Sequence, residues 1–303
     1  MSAAYDADIL GLIDAAYASV EAGAIEIGLQ QFVLARTQAL HLADPVALAQ
    51  KLASDTAAYV RHRDVFRAAF PPKPDATRKV LIMADSLGLP RPDEPDRIDA
   101  TYTGHIDARY PDLSVTSMCQ RFATTQTVLE TLRADPALGQ DSDFVLHVGL
   151  NDCANRMFLE DERIALSFLS KTTRDKMIEF TRKYRREIIL RLPPHHYVPP
   201  VAFRQNLISI VELLKTRNVG KVILTTIILP PAKSWPGTPG MSRNFAAYNL
   251  EIMDAVHHYD ACLLDMDRHV WQAQNRGVLL PDGMHLADGG HQLFCDKADP
   301  FLR

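Results

Sequence analysis

The chain has 303 residues, of which 47% are hydrophobic and 23% charged, and a formal net charge of -4. That length suits one large domain with an accessory segment, and the composition is that of an ordinary globular chain. The acid excess argues against general nucleic-acid binding. The four cysteines (Cys119, Cys153, Cys262, Cys295) show no CxxC spacing, so neither a metal site nor a disulfide framework is expected. The first eight residues carry two acids and no Lys or Arg, the wrong flank for a secretory signal. No uncharged apolar run approaches the roughly 20 residues that span a bilayer. The expectation is a cytoplasmic protein without a membrane span.

Residues 4–69 read as helix throughout. Ile9, Leu10, Ile13, Tyr17 and Val20 recur at three- and four-residue steps and share a face. Asp44-Pro45 has the form of an N-cap followed by proline at the first helical position, opening a helix that runs towards Phe66. About three helices are expected. Phe70-Pro-Pro-Lys-Pro74 cannot continue a helix and marks a boundary. It divides a helical cap, residues 1–70, from a main domain, residues 75–303. Between Glu21 and Leu52, Gly23, Ala35 and Pro45 faintly match the spacing of a tetratricopeptide-type hairpin. One copy has no stacking neighbour, so a packed cap is the expectation and a surface for a protein partner or self-association the alternative.

After the boundary, strand and helix patterns alternate. Strands are predicted at 79–84, 113–119, 144–148, 221–228 and 261–266, each short, apolar and rich in branched residues. Helices are predicted at 125–133, 160–186 (as one or two), 201–217, 242–259 and 289–298. The alternation predicts an α/β fold, a doubly wound parallel five-stranded sheet with an N-terminal helical extension. Ligands of such sheets bind at the carboxyl ends of the strands. Ser86 follows the first strand and Asn151 the third, so both should open onto that edge.

The polar residues at these ends form a parts list for acyl transfer. Ser86 supplies a hydroxyl that needs a base to become a nucleophile, and His285 is the natural base. Asp282, three residues before it, can fix the imidazole tautomer and stabilise the imidazolium. The Asn151 amide can donate to an oxyanion beside the backbone N–H of Ser86. Taken singly, each has a bland explanation: a helix N-cap, a turn, surface polarity. Their joint occurrence at matched strand ends favours chemistry.

Ala84-Asp-Ser86-Leu87, Gly149-Leu-Asn151-Asp152 and Asp282-Gly-Met-His285 together resemble the three blocks of the SGNH, or GDSL-type, hydrolases, with Gly290-His291 following as in that family's closing helix. The resemblance covers residues 78–300. It implies a three-layer α/β/α, flavodoxin-like fold without metal or organic cofactor. It also implies Ser86 as nucleophile, His285 as base, Asp282 as its orienter and Asn151 as oxyanion donor. Members cleave esters and thioesters, and many deacetylate carbohydrates. The family's second block offers a Gly whose N–H completes the oxyanion hole. Here residues 117–125 contain no Gly, so the backbone of Arg121 or Phe122 takes that place, or Arg121 instead faces the substrate. Ala84-x-Ser86-x-Gly88 is also a near match to the nucleophile elbow of α/β-hydrolases. That reading is disfavoured because Ser86 follows the first strand and Asp282 adjoins His285.

From Lys171 to His196, eight Lys or Arg face three acids, either as a lid suited to an anionic substrate or as a solvated helix face. His195-His196 lacks further spaced ligands for a metal. Nothing assigns Cys153 a role. The chain therefore reads as a serine ester hydrolase that removes a small O-acyl group, such as acetyl, from a carbohydrate or similar small molecule. The alternatives are acyl transfer on the same scaffold, or a non-catalytic glycan-binding or assembly protein that docks a partner through its helical cap.

Overall fold

The computed structural model describes residues 3–91, 94–193, 195–273 and 277–303, with the side chains of 3–5 and 52–63 outside the description. In chain order, helices α1 (Ala3–Glu21), α2 (Ile25–Leu42) and α3 (Pro45–Ala69) lead to β1 (Arg78–Ala84). Next come α4 (Tyr102–Arg109), β2 (Leu113–Cys119), α5 (Thr125–Ala134), β3 (Asp143–His147) and the short α6 (Leu150–Cys153). An insertion then carries α7 (Glu160–Ala165), α8 (Lys171–Lys183) and α9 (Arg185–Arg191). The chain closes with α10 (Pro200–Lys215), β4 (Val222–Thr225), α11 (Met241–Tyr259), β5 (Cys262–Leu264), α12 (Met266–Ala273) and α13 (Asp288–Leu302).

All five strands pair in parallel, in the order β2-β1-β3-β4-β5. That order is the flavodoxin-like one, and its switch point lies between β1 and β3. Val80, Ile82 and Ala84 alternate onto one face and pack with Tyr102 and Ile106 of α4 and with Phe294 and Leu302 of α13. The Tyr102 and Phe294 rings stack at 3.9 Å. On α10's own partner, α5, Arg217 donates to the carbonyls of Leu132, Asp135 and Leu138, closing the orphan acceptors at that helix end.

Two elements differ from expectation for reasons the backbone makes plain. β4 stops at Thr225 although the apolar run continues to Pro231. Beyond it, side chains take over the hydrogen bonds: Asn249 holds both the N–H and the carbonyl of Ile227, and Asp267 accepts from Leu229 N. The helix expected over 160–186 breaks into α7, a turn at Leu166–Phe168, α8 and α9. Ser170 caps α8 by accepting from Thr173 N.

The chain forms two compact units. One gathers Met1–Ala58, Asn155–Tyr197 and Ala232–Met241; the other gathers Tyr59–Ala154, Val198–Pro231 and Ser242–Arg303. The Phe70–Pro74 boundary read from sequence therefore falls inside the second unit, because Phe66 and Phe70 at the end of α3 join its core. In the first unit α1 and α2 form a hairpin through Gly23, whose φ of +84° suits glycine. Ile9, Ile13, Leu29, Phe32, Met177 and Phe180 build its core. Phe32 stacks on Phe180 at 5.1 Å, and Tyr17 meets Phe180 edge-on. The apolar face of α1 is thus covered within this unit by α8.

The basic insertion is answered there too. Lys176 pairs with Asp14, Lys183 with Glu21 and Arg191 with Glu26, while Lys171 pairs with Asp175 on its own helix. Arg36, buried, bridges Glu162 at 2.9 Å and donates to the Met157 carbonyl. No helix among the described residues is long and apolar enough to cross a membrane.

Candidate active site

β1 ends at Ala84, and Asp85 turns the chain. Asp85 is fully buried; its N–H donates to the His147 carbonyl, and its Oδ1 accepts from Leu87 N at 2.8 Å. A capped single turn, Ser86–Gly88, follows and presents the Ser86 hydroxyl at the carboxyl end of the sheet. The Ser86 carbonyl is held by Leu89 N and by the Arg91 guanidinium.

His285 reaches the same point from a tight hairpin. Leu280 N donates to the His285 carbonyl, and Gly283, at φ +72°, completes the turn by donating to Leu280 O. Asp282 Oδ1 accepts from the backbone N–H groups of Met284 and His285 at 2.9 and 3.0 Å. Its Oδ2 lies 2.7 Å from His285 Nδ1, and His285 Nε2 lies 3.1 Å from Ser86 Oγ. A carboxylate against Nδ1 selects the tautomer protonated there and leaves Nε2 to accept from the serine. Partial burial pushes the Asp282 carboxyl up, but the two backbone donors and the imidazole outweigh it and hold it below the usual carboxylate range. Asp282 is thus held as the anion that faces His285 Nδ1.

After β3, Gly149 at φ +127° opens α6. A Cβ there would lie 2.6 Å from Ile227 Cδ1, so the turn requires glycine. Asn151 is buried and donates from Nδ2 to the Ala123 carbonyl at 3.0 Å. Asp152, fully buried beside it, accepts from Thr125 N and from Thr125 Oγ1 at 2.9 and 2.6 Å. These two neighbours anchor the far end of the loop after β2, where it enters α5.

That loop is a turn in which Gln120 N donates to Ala84 O and Ala123 N donates to Gln120 O. Phe122, its third residue, sits at φ +63° and is 50% exposed. A positive φ at this position marks a type II turn, which ordinarily takes glycine. The glycine absent from the sequence is thus replaced by a phenylalanine in a glycine-like conformation, at a strain of order 1–2 kcal/mol. The N–H groups of Gln120 and Ala123 are thus committed to hydrogen bonds of the turn itself.

Ser86, Asp282, His285 and Arg121 line one cavity of about 300 Å³, completed by Leu89, Arg91 and Leu280. Asn151 and Phe122 lie outside that lining. Sequence reasoning missed Arg91 and Leu89, which no spacing flags, and the Asp152–Thr125 clamp, whose partners are 27 residues apart. It also missed a buried chain beneath the site. Tyr102 N donates to His291 Nδ1, and the Tyr102 hydroxyl lies 3.2 Å from His147 Nδ1. Burial pushes His147 down to about 3 and His291 to about 4, so both are neutral near pH 7. His195 lies 3.2 Å from an Arg36 guanidinium nitrogen in the helical unit, and Cys153 is buried with Sγ towards the Leu150 carbonyl. Among the described residues no three His, Cys, Asp or Glu side chains gather as metal ligands.

Comparison with known proteins places these features. Residues 85–293 match the GDSL-like Lipase/Acylhydrolase family. No curated protein matches the chain significantly. Among solved structures it is similar to TesA, with a TM-score of 0.50, 18% identity, and 75% of this chain and 98% of that one covered. The lipase/acylhydrolase from Enterococcus faecalis gives 0.52 at 16% identity, covering 75% and 95%. A mutant of Axe2, an acetyl-xylooligosaccharide esterase from Geobacillus Stearmophilus, gives 0.51 at 16%, covering 76% and 96%. At such identities these structures attest the fold alone, while the family match spans most of the chain and includes Ser86, Asn151, Asp282 and His285. The chain therefore belongs to the GDSL-like lipase/acylhydrolase family, a family of serine esterases and lipases.

Proposed function

We propose that the protein is a serine ester hydrolase working through an acyl-enzyme on Ser86. The observation that carries this reading is the relay of contacts from Ser86 Oγ through His285 to Asp282, at 3.1 and 2.7 Å. His285 Nε2 takes the serine proton as Oγ attacks the ester carbonyl, and Asp282 stabilises the imidazolium. The oxyanion is met by the Ser86 N–H, the Asn151 amide and a main-chain N–H of Arg121 or Phe122. His285 then protonates the leaving alcohol. Water repeats the sequence with the acyl group as electrophile and releases the acid. No metal or organic cofactor enters these steps.

The substrate is a small-molecule ester whose alcohol half is polar, such as a carbohydrate O-acyl ester. Support comes from the charged lining of the cavity, which includes Arg121 as the residue to contact that half, and from the likeness to an acetyl-xylooligosaccharide esterase. The basic insertion adds less support, because Lys171, Lys176, Lys183 and Arg191 pair with carboxylates of α8, α1 and α2. Transfer of the acyl group to a second hydroxyl would use the same residues, with that hydroxyl replacing water.

A fluorophosphonate probe tests the assignment. The wild type should gain one phosphonyl group, located by peptide mass to the segment holding Ser86, and Ser86→Ala should gain none. Equal labelling of both proteins would remove Ser86 as the nucleophile.

A further inference from the structure

Beside the cavity of Ser86 lies a second one of about 280 Å³, and the two share Leu89, Arg91 and Arg121 as common walls. The second is apolar over most of its lining: Val65, Phe66, Leu89, Pro90 and Ile98. Arg91, which lines both cavities, donates to the Ser86 carbonyl. Val65 is a branched apolar residue left 50% exposed on this groove, next to Phe66, which is locked in the core with Leu89 and Ile98. Both come from α3, upstream of the segment that matches the family.

We propose that this groove holds the acyl chain of the substrate, and that Val65 and Phe66 set how long that chain can be. The proposal rests on Ser86 being the residue that is acylated, and names the acyl half of the ester that Ser86 accepts. The two halves of the ester have different needs. The alcohol departs after the first step and is served by the polar cavity of Arg121, Asp282 and His285. The acyl group stays on Ser86 until water releases it, and an apolar groove leading away from Ser86 suits it. Acetyl would leave the groove empty, whereas a straight chain of several methylenes would cover Val65. Each methylene buried there should raise kcat/KM by roughly four-fold. The substrate class is therefore a straight-chain acyl ester of a polar alcohol, with acetyl as the shortest member accepted.

The test is kcat/KM for p-nitrophenyl acetate, butyrate, hexanoate and octanoate with the wild type, Val65→Trp, Val65→Ala and Ser86→Ala. The wild type should prefer hexanoate to acetate, by on the order of a hundred-fold if every added methylene is buried. Val65→Trp, which fills the groove from an exposed position, should lower the hexanoate-to-acetate ratio at least ten-fold. Val65→Ala should move the optimum towards octanoate. Acetate hydrolysis that disappears in Ser86→Ala secures the reading beneath the proposal. Given that, a wild type that prefers acetate, or a ratio unchanged in a folded Val65→Trp, overturns the groove alone. Acetate hydrolysis that persists in Ser86→Ala overturns both.

Discussion

At Phe122 the demands of a turn and of a side chain conflict. The loop after β2 is fixed at both ends, by Gln120 N on Ala84 O and by Thr125 on Asp152, and its third residue must take φ +63°. An L side chain with a Cβ resists that conformation, and glycine does not. Truncating the ring in two ways separates the effects. Phe122→Gly and Phe122→Ala both lose the phenyl group, but only the glycine variant relieves the backbone. We expect Phe122→Gly to be more stable than Phe122→Ala by about 1 kcal/mol in guanidinium unfolding. The reverse order would show that the turn relaxes in solution.

The residues of the site were legible in proportion to how local their relations are. Asp282 and His285 are three apart, and Asn151 and Ser86 each follow a strand, so short motifs carried them. The N-cap at Asp44 was readable for the same reason, and Val46 N indeed donates to its carboxylate. Arg91 and Val65 carry no such signature. Arg91 reaches its cavity by hydrogen-bonding the Ser86 carbonyl five residues back, and Val65 lines its groove from α3, relations that the sequence does not spell out.

At the scale of elements, the sheet was readable because parallel strands are continuous apolar runs that cannot hide. Where structure and expectation differ, the causes are separate. Residues 226–228 were expected as strand, yet Asn249 holds the backbone of Ile227 and Asp267 that of Leu229, so the segment leaves the ladder early. α4 and α12, at eight residues each, are too short for a periodicity to stand out. α3 was expected as part of a separate cap, but its last turns bury Phe66 and Phe70 against the sheet domain. Burial decides membership there, and the three prolines that follow end the helix without ending the domain.

Over the whole molecule, the buried histidines give stability a definite pH dependence. In the unfolded chain an imidazole takes up its proton near pH 6.5, whereas in the fold His147 does so at about 3 and His291 at about 4. Between about pH 6.5 and 4 the unfolded chain therefore binds more protons. The stabilisation is complete above that window and drains as the pH falls through it, by up to about 1.4 kcal/mol per pH unit for each imidazole. Unfolding free energies measured between about pH 6 and 5 should fall at close to twice that slope in the wild type, and at about half the wild-type slope in His147→Gln. A flat wild-type profile would mean that both imidazoles are solvated in the fold.

The account as a whole turns on Ser86 forming a covalent acyl intermediate. Rapid mixing with p-nitrophenyl acetate, following nitrophenolate release from the first milliseconds, tests that most directly. The account predicts a first turnover that generates one equivalent of acetyl-enzyme, detectable by mass as an acetyl adduct on the Ser86 peptide. It predicts that both adduct and turnover fall by about 10⁴ or more in Ser86→Ala. Turnover that survives the substitution, or an adduct on another residue, would contradict it.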